Sequence, residues 1–250
     1  MGFNKLKGII LKLTPQKIIN LYKDSLKSTQ EDFHSIISYS QEGEDLILKR
    51  LFEDQKTGFY VDVGAHHPQR FSNTYLFYKM GWRGINIDAM PGCMKKFNDT
   101  RPEDINIEAA ISDKDELLKY YIFNEPALNT FSSEQAMKKN GYKNFKVISE
   151  EKIKTKRLEN ILDKFLKDDS QIDFLTIDVE NFEMKVLKSN NWERYKPKVL
   201  VIEKTDSTIS EVLNSELYNF LYKKNYELFA KSFNSLFLVL KTEKALFVRK

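Results

Sequence analysis

Cysteine is almost absent from this 250-residue chain: Cys93 stands alone, so no intrachain disulfide can form. No signal-peptide pattern precedes the domain, and the expected compartment is a reducing cytoplasm. Nothing beside Cys93 marks it as activated, and it reads as a buried apolar filler. Glycine and proline are scarce, at nine and six, which excludes collagen-like and low-complexity architecture. No stretch reaches the roughly 18 consecutive apolar residues that span a bilayer, and internal repeats are lacking. The net charge is only +4, and residues 1–30 hold six lysines against Asp24 alone, so the remainder is nearly neutral. The basic surface interleaved with aromatics that nucleic-acid binding requires is therefore missing.

What is present suits one sizeable core, with 41% hydrophobic and 13% aromatic residues. The expected organisation is a helical extension over residues 1–39 and one main domain over 40–250. In the extension Phe3, Leu6, Ile10 and Leu13 recur at helical spacing with Lys5, Lys7 and Lys12 between them, and Pro15 breaks the pattern. Such helices either cover a core or a homo-oligomer seam, or place residues 1–28 in peripheral contact with the inner face of an anionic membrane.

The chain is organised around FYVDVGAHHP, Phe59 to Pro68. Phe59, Tyr60, Val61 and Val63 favour a buried strand, and Gly64 lets the backbone turn sharply towards a ligand. Ahead of it Ser40 can cap a helix that carries Glu44 near its start and Leu46, Ile47, Arg50 and Leu51 as a core-facing stripe. The polar leading end of that helix can reach the turn. After the turn, a helix from about Asn73 to Gly81 leads to a second strand ending at Asp88, 26 residues beyond Asp62. That offset is close to the one at which doubly wound folds place an acid on ribose hydroxyls. A pyrophosphate would also need G-x-G-x-x-G, yet Gly64 is followed by Ala65, His66, His67 and Pro68. S-adenosylmethionine has a ribose and an adenine but no phosphate, so the pattern favours it over a dinucleotide.

A third strand is expected from Ile105 to Ala110, followed by an ISD segment bordering an adenine pocket, and ELLKYYIF adds a further strand. Residues 124–156 read as an insert: an irregular binding loop from Asn124 to Gly141, then an edge-like strand in FKVISEEKIKTKRL. Leu158, Ile161, Leu162 and Phe165 share one helix face. IDFLTIDVENFE then gives a buried strand, Ile172 to Ile177, running into Asp178, Val179, Glu180 and Asn181, with Phe182, Val186 and Leu187 inward on the next helix. KVLVIE delivers Glu203. Ligands of open α/β sheets bind outside the carboxyl ends of strands, so Asp62, Asp88, Asp178, Glu180 and Glu203 should converge on one rim.

Taken in order, VDVGA, GWRGINIDAMPG, ALNTF, IDFLTIDVENFE and PKVLVIE resemble the FkbM family of S-adenosylmethionine-dependent methyltransferases, over about Ser40 to Glu203. The resemblance implies an α/β, Rossmann-like class I methyltransferase fold: a seven-stranded, mostly parallel sheet with helices on both faces, NYELFA and SLFLVL supplying the last antiparallel pair. It implies O-methylation of a sugar hydroxyl in a surface glycan or glycosylated metabolite, the acceptor being free, nucleotide-linked or lipid-linked. The matching positions assign Ser40, Gln41, Glu44, Asp62, Gly64, Ala65, His66, Asn73, Thr74, Asp88, Ala89, Ser112 and Asp178 to the cofactor. Asp178, Glu180 and His67 are the catalytic candidates. IDVENFE also resembles the acidic motif of metal-dependent sugar O-methyltransferases, in which Asp178, Glu180 and Glu203 would hold magnesium or manganese.

Two departures stand out. The family often has Asn-x-Gly where this chain has His66, His67 and Pro68, and Gly where it has Asn181, a residue that tolerates left-handed backbone. The histidines either form a base and a metal ligand or shape the turn and bond the cofactor carboxylate. The rival readings are a non-catalytic nucleotide-binding scaffold with a membrane-surface helix, and a phosphate-free dehydrogenase-like enzyme.

Overall fold

A computed structural model describes residues 15–18, 20–22, 35–167 and 170–243. The chain divides into two compact units, Met1–Ile37 and Ser38–Lys250. Most of the amphipathic N-terminal pattern, residues 1–14 and 23–34, lies outside the described residues, so the membrane and packing alternatives have no structural counterpart here.

The second unit is built on a seven-stranded sheet. Its strands are β1 (Phe59–Val63), β2 (Arg83–Asp88), β3 (Ile105–Glu108), β7 (Phe174–Ile177), β8 (Val199–Glu203), β9 (Tyr226–Lys231) and β10 (Ser235–Leu240), in the order β3-β2-β1-β7-β8-β10-β9. The first five run parallel, β10 pairs antiparallel with β8, and β9 antiparallel with β10. Parallel strands buried on both faces read as near-continuous apolar runs, which is how FYVDV, FLTI and VLVIE look in the sequence.

The period-two alternation of side chains divides the core between the two faces. Val61, Val63, Ile85, Ile87, Leu175, Ile177, Leu200 and Ile202 pack on one side with Leu158, Ile161 and Leu162 of helix α5 (Leu158–Phe165), Val186 and Leu187 of α6 (Glu183–Lys188), and Leu217 and Leu221 of α8 (Glu216–Lys223). Tyr60, Phe174, Val199, Val201 and Phe237 pack on the other with Leu48 and Phe52 at helix α1 (Glu44–Leu51), Phe77 of α2 (Tyr75–Lys79) and Trp82. Each such buried aliphatic or aromatic side chain contributes about 1.5–3 kcal/mol of transfer free energy.

Three local expectations are corrected. Helix α1 begins after Gly43 in a left-handed conformation (φ 87°) and buries Leu48, while Arg50 is exposed. Gly43 rather than Ser40 holds the N-cap position, but Ser40 Oγ accepts from the first-turn Asp45 N at 3.3 Å, and Ser38 and Ser40 both donate to the Asp45 carboxylate, at 2.6 and 3.0 Å. Glu42 and Glu44 pull this segment across the sheet, accepting from Asn234 Nδ2 at 2.7 Å and Ser235 Oγ at 3.0 Å, respectively. The third strand stops at Glu108, and Ala110–Ile111 (β4) joins β6 (Val147–Lys156) and β5 (Leu117–Phe123) in a second sheet ordered β4-β6-β5. The segment expected as an edge strand is therefore that sheet's central one. The loop before it is partly ordered, with a 3₁₀ turn at Pro126–Leu128 and helix α4 (Ser133–Lys139), whose N-cap Ser132 accepts from Gln135 N. Helices α3 (Met94–Thr100) and α7 (Ile209–Leu213) complete the α-helices described in this second unit.

Candidate active site

The carboxyl ends of β1, β2, β7 and β8 open into a cavity of about 400 Å³, within the ~300–1,000 Å³ of small-molecule sites. The strand-end residues Gly64, Asp88, Asp178 and Glu203 line it, and the segment from Glu125 to Phe131 with Lys139 and Phe145 closes its far side.

Gly64 is required by the close approach of two turns. It has φ +87°, and a Cβ there would lie 1.7 Å from the Asp178 carbonyl oxygen. Beyond it Asp88 fixes the rim: one carboxylate oxygen accepts from His66 N and the other from Met90 N, each at 2.8 Å. The Cys93 thiol also bonds this carboxylate; with about four acceptor positions, capacity remains for a further hydroxyl. Burial raises the Asp88 pKa, opposed by these backbone donors. Ile87, Ala109 and Ile111 supply an apolar flank beside it.

His66 and His67 separate in role. His66 lines the cavity, its Nε2 is buried with no hydrogen-bond partner, and burial with nearby Arg70 lowers its pKa to about 4, which keeps the ring neutral at pH 7. His67 does not line the cavity; its Nδ1 accepts from Gln69 N and Arg70 N, both at 3.1 Å, and shapes the turn. The catalytic assignment of His67 is corrected on this ground.

On the other side, Glu180 and Asn181 take consecutive left-handed conformations (φ 53° and 68°), a geometry that Asn tolerates better than most side chains. The turn is held by the Glu183 carboxylate, which accepts from Asn181 N at 3.0 Å. Asp178 is solvent-exposed in the open cavity, although many protein atoms crowd around its carboxyl. It and Glu203 form a hydrogen-bonded carboxyl pair. Burial and then mutual repulsion raise the Asp178 pKa well above the ordinary range; burial and neighbouring Glu180 push Glu203 up to about 7. The two titrate as a coupled pair, both carboxyls held above the ordinary range.

The sequence residues divide accordingly. Gln41, Gly64, His66, Asp88, Ala89, Asp178, Glu180 and Glu203 line the main cavity, and Glu44 and Asn73 line a small adjoining chamber behind the Asp178–Glu203 pair. Ser40, Asp62, Ala65, Thr74 and Ser112 line neither. Asp62 alternates to the opposite face and accepts from Thr74 Oγ1 at 2.8 Å, which also accepts from Arg101 Nη2 at 2.9 Å. Burial raises Asp62 to a pKa of about 6, opposed by Arg101. Arg101 is fully buried, paired with Asp104 at 2.9 Å and bonded to Tyr60 Oη and the Pro68 carbonyl, so it ties the cofactor turn to the sheet. Ser112 bonds Asp113 instead of facing the cavity.

Sequence reasoning missed Arg70, Glu125, Asn129, Thr130, Phe131, Lys139 and Phe182 as cavity residues. ALNTF was visible as a motif, but not its partners: Thr130 Oγ1 donates to the Glu180 carbonyl at 2.9 Å, and Lys139 pairs with the Glu180 carboxylate at 2.5 Å. This pairing decides the metal question. Asp178, Glu180 and Glu203 share the cavity, but Lys139 engages Glu180 while the other two bond each other. Among the described residues no group of three or more His, Cys, Asp or Glu side chains is arranged to hold a metal ion. The donor set does not fit magnesium or manganese, and no step is derived through one.

The sheet order, with one antiparallel hairpin on an otherwise parallel sheet and a ligand cavity at the strand ends, defines a class I, Rossmann-like methyltransferase fold. Residues 62–228 match the methyltransferase FkbM domain, and the chain belongs to that family. Solved structures similar in fold include a precorrin-6y C5,15-methyltransferase from Geobacter metallireducens, 12% identical, TM-score 0.42, covering 84% of this chain and 93% of that one. A TehB-like SAM-dependent methyltransferase from Corynebacterium glutamicum is also 12% identical, TM-score 0.39, covering 90% and 98%. Comparison with curated proteins gives no match. No helix among the described residues is long and apolar enough to cross a membrane.

Proposed function

We propose that this protein is an S-adenosylmethionine-dependent O-methyltransferase whose acceptor is a sugar hydroxyl of a surface glycan or glycosylated metabolite. The observation that carries the reading is the Asp178–Glu203 carboxyl pair opening into the same cavity as Gly64 and Asp88. The cofactor's needs meet residues suited to them: Asp88 for ribose hydroxyls, Ile87, Ala109 and Ile111 for the adenine, and the unpartnered Nε2 of His66 and the Gly64 turn for the methionine end. When bound, S-adenosylmethionine supplies an electrophilic methyl group on a sulfonium.

The chain's own residues then orient and deprotonate the acceptor. The ionised member of the Asp178–Glu203 pair accepts the hydroxyl proton as the oxygen becomes nucleophilic. Its raised pKa suits a base working near neutral pH. Glu180, held by Lys139, fixes the turn that aims Asp178.

The test is transfer of radiolabelled methyl from S-adenosylmethionine into carbohydrate fractions of the host. Label should enter a glycan or glycoside, and Asp178→Asn should abolish transfer while S-adenosylhomocysteine still binds. Label entering only protein or nucleic acid would contradict the acceptor class.

A further inference from the structure

The far side of the cavity bears on which sugars it accepts. Its cations are both already committed. Lys139 lies 2.5 Å from Glu180 within the wall, and at the rim Arg70 spans both oxygens of Glu125 at 3.0 and 3.2 Å. Against these two cations stand five lining carboxyl groups, Asp88, Glu125, Asp178, Glu180 and Glu203. An anionic group entering here meets a field of its own sign. Drawing Lys139 away would strand Glu180, which is only 8% exposed, as an unpaired buried charge, a strongly unfavourable outcome.

Part of the remaining wall is aromatic. The Phe131 ring lies 4.5 Å from Tyr120 and 5.5 Å from Phe182 between centroids, in a ribbon that lines the cavity with Phe145 and Leu128. Phe182 was expected inward against the core; it is half-buried and faces the cavity instead, because it precedes α6 at the end of the left-handed turn. Aromatic faces suit the C–H face of a pyranose ring, whose hydroxyls then point at the opposing acids.

We propose that the methylated unit of the acceptor is an uncharged pyranose, and that the Lys139–Glu180 pair and the Tyr120–Phe131–Phe182 ribbon together reject its uronic acid and phosphorylated counterparts. This rests on the methyltransferase reading above and narrows its substrate class. The internal ion pair makes a specificity filter: among the described residues lining the cavity, it engages the one cation set within the wall with the protein's own carboxylate, leaving none there for a substrate anion.

The test uses the full chain saturated with S-adenosylhomocysteine and matched probes: methyl glucoside, galactoside and mannoside, each beside its uronate. Binding is followed by saturation-transfer NMR and calorimetry. At least one neutral glycoside should bind tenfold or more tightly than its uronate. Phe131→Ala should weaken the neutral probe about tenfold, and Glu180→Gln, which frees Lys139, should narrow or reverse the preference. A uronate binding as well as its neutral partner, or no glycoside binding at all, would overturn the proposal while leaving cofactor binding intact. Failure of S-adenosylhomocysteine to bind would instead remove the reading on which it rests.

Discussion

Replacing Glu203 with Gln removes a charge from the Asp178 pair and keeps its shape. Glu203 has a folded-state pKa raised from 4.5 to about 7, so the sign of its effect on stability follows directly. A carboxyl whose pKa is raised by folding favours the fold fully below its unfolded pKa, and that contribution is lost as pH rises through the folded value. The difference of about 2.5 units, at ~1.4 kcal/mol each, sets an upper bound of about 3.5 kcal/mol. Partial access to cavity water and coupling to Asp178 reduce it to about 1–3 kcal/mol. At ~2–4 °C per kcal/mol for a chain of this size, Glu203→Gln should melt about 2–12 °C above the wild type at pH 8. Near pH 4.5 the two should melt together. Thermal unfolding by circular dichroism between pH 4.5 and 8 reads this directly. The same variant should lose about 10²–10⁴-fold in turnover, the usual value of a positioned base. A melting difference independent of pH, or a wild type more stable at pH 8, would refute the raised pKa of this carboxyl pair.

Other consequences follow from the geometry. Gly64→Ala should abolish S-adenosylhomocysteine binding, because its Cβ would meet the Asp178 carbonyl at 1.7 Å in a left-handed conformation; isothermal titration detects this. Arg101→Ala strands Asp104 in the interior and should cost about 3–5 kcal/mol in chemical denaturation. His66→Ala should weaken cofactor binding with little change in melting, whereas His67→Ala should lower melting, since only His66 faces the cavity. EDTA should leave methyl transfer unchanged, as the three carboxylates are engaged by Lys139 and by one another.

The central sheet was legible because its strands are buried on both faces and end in acids or glycine: FYVDVG, GINID, FLTID and VLVIE each show this pattern. Topology then brings Asp88, Asp178 and Glu203 to one rim. Asp62 was misplaced because an apolar run does not show which face each member takes, and period two turns it towards Thr74 and Arg101. The ion pairs that shape the acceptor side were not legible. Lys139 meets Glu180 across 41 residues and Arg70 meets Glu125 across 55, and no local pattern encodes such pairings. In helix α1 the expected Ile47 and Leu51 do pack against the core, whereas Arg50 is exposed and Leu48 takes the most buried place; Glu42 and Glu44, fixed by Asn234 and Ser235, anchor the helix start through contacts no local spacing encodes.

Calorimetric titration of S-adenosylhomocysteine into the full chain and into Asp88→Asn reaches the centre of the matter. Saturable one-to-one binding is expected for the wild type, weakened at least tenfold in Asp88→Asn, because the ribose hydroxyls would lose a charged acceptor. No binding to the wild type at high micromolar concentration, or equal binding to both proteins, would contradict the assignment of this cavity to the methyl donor.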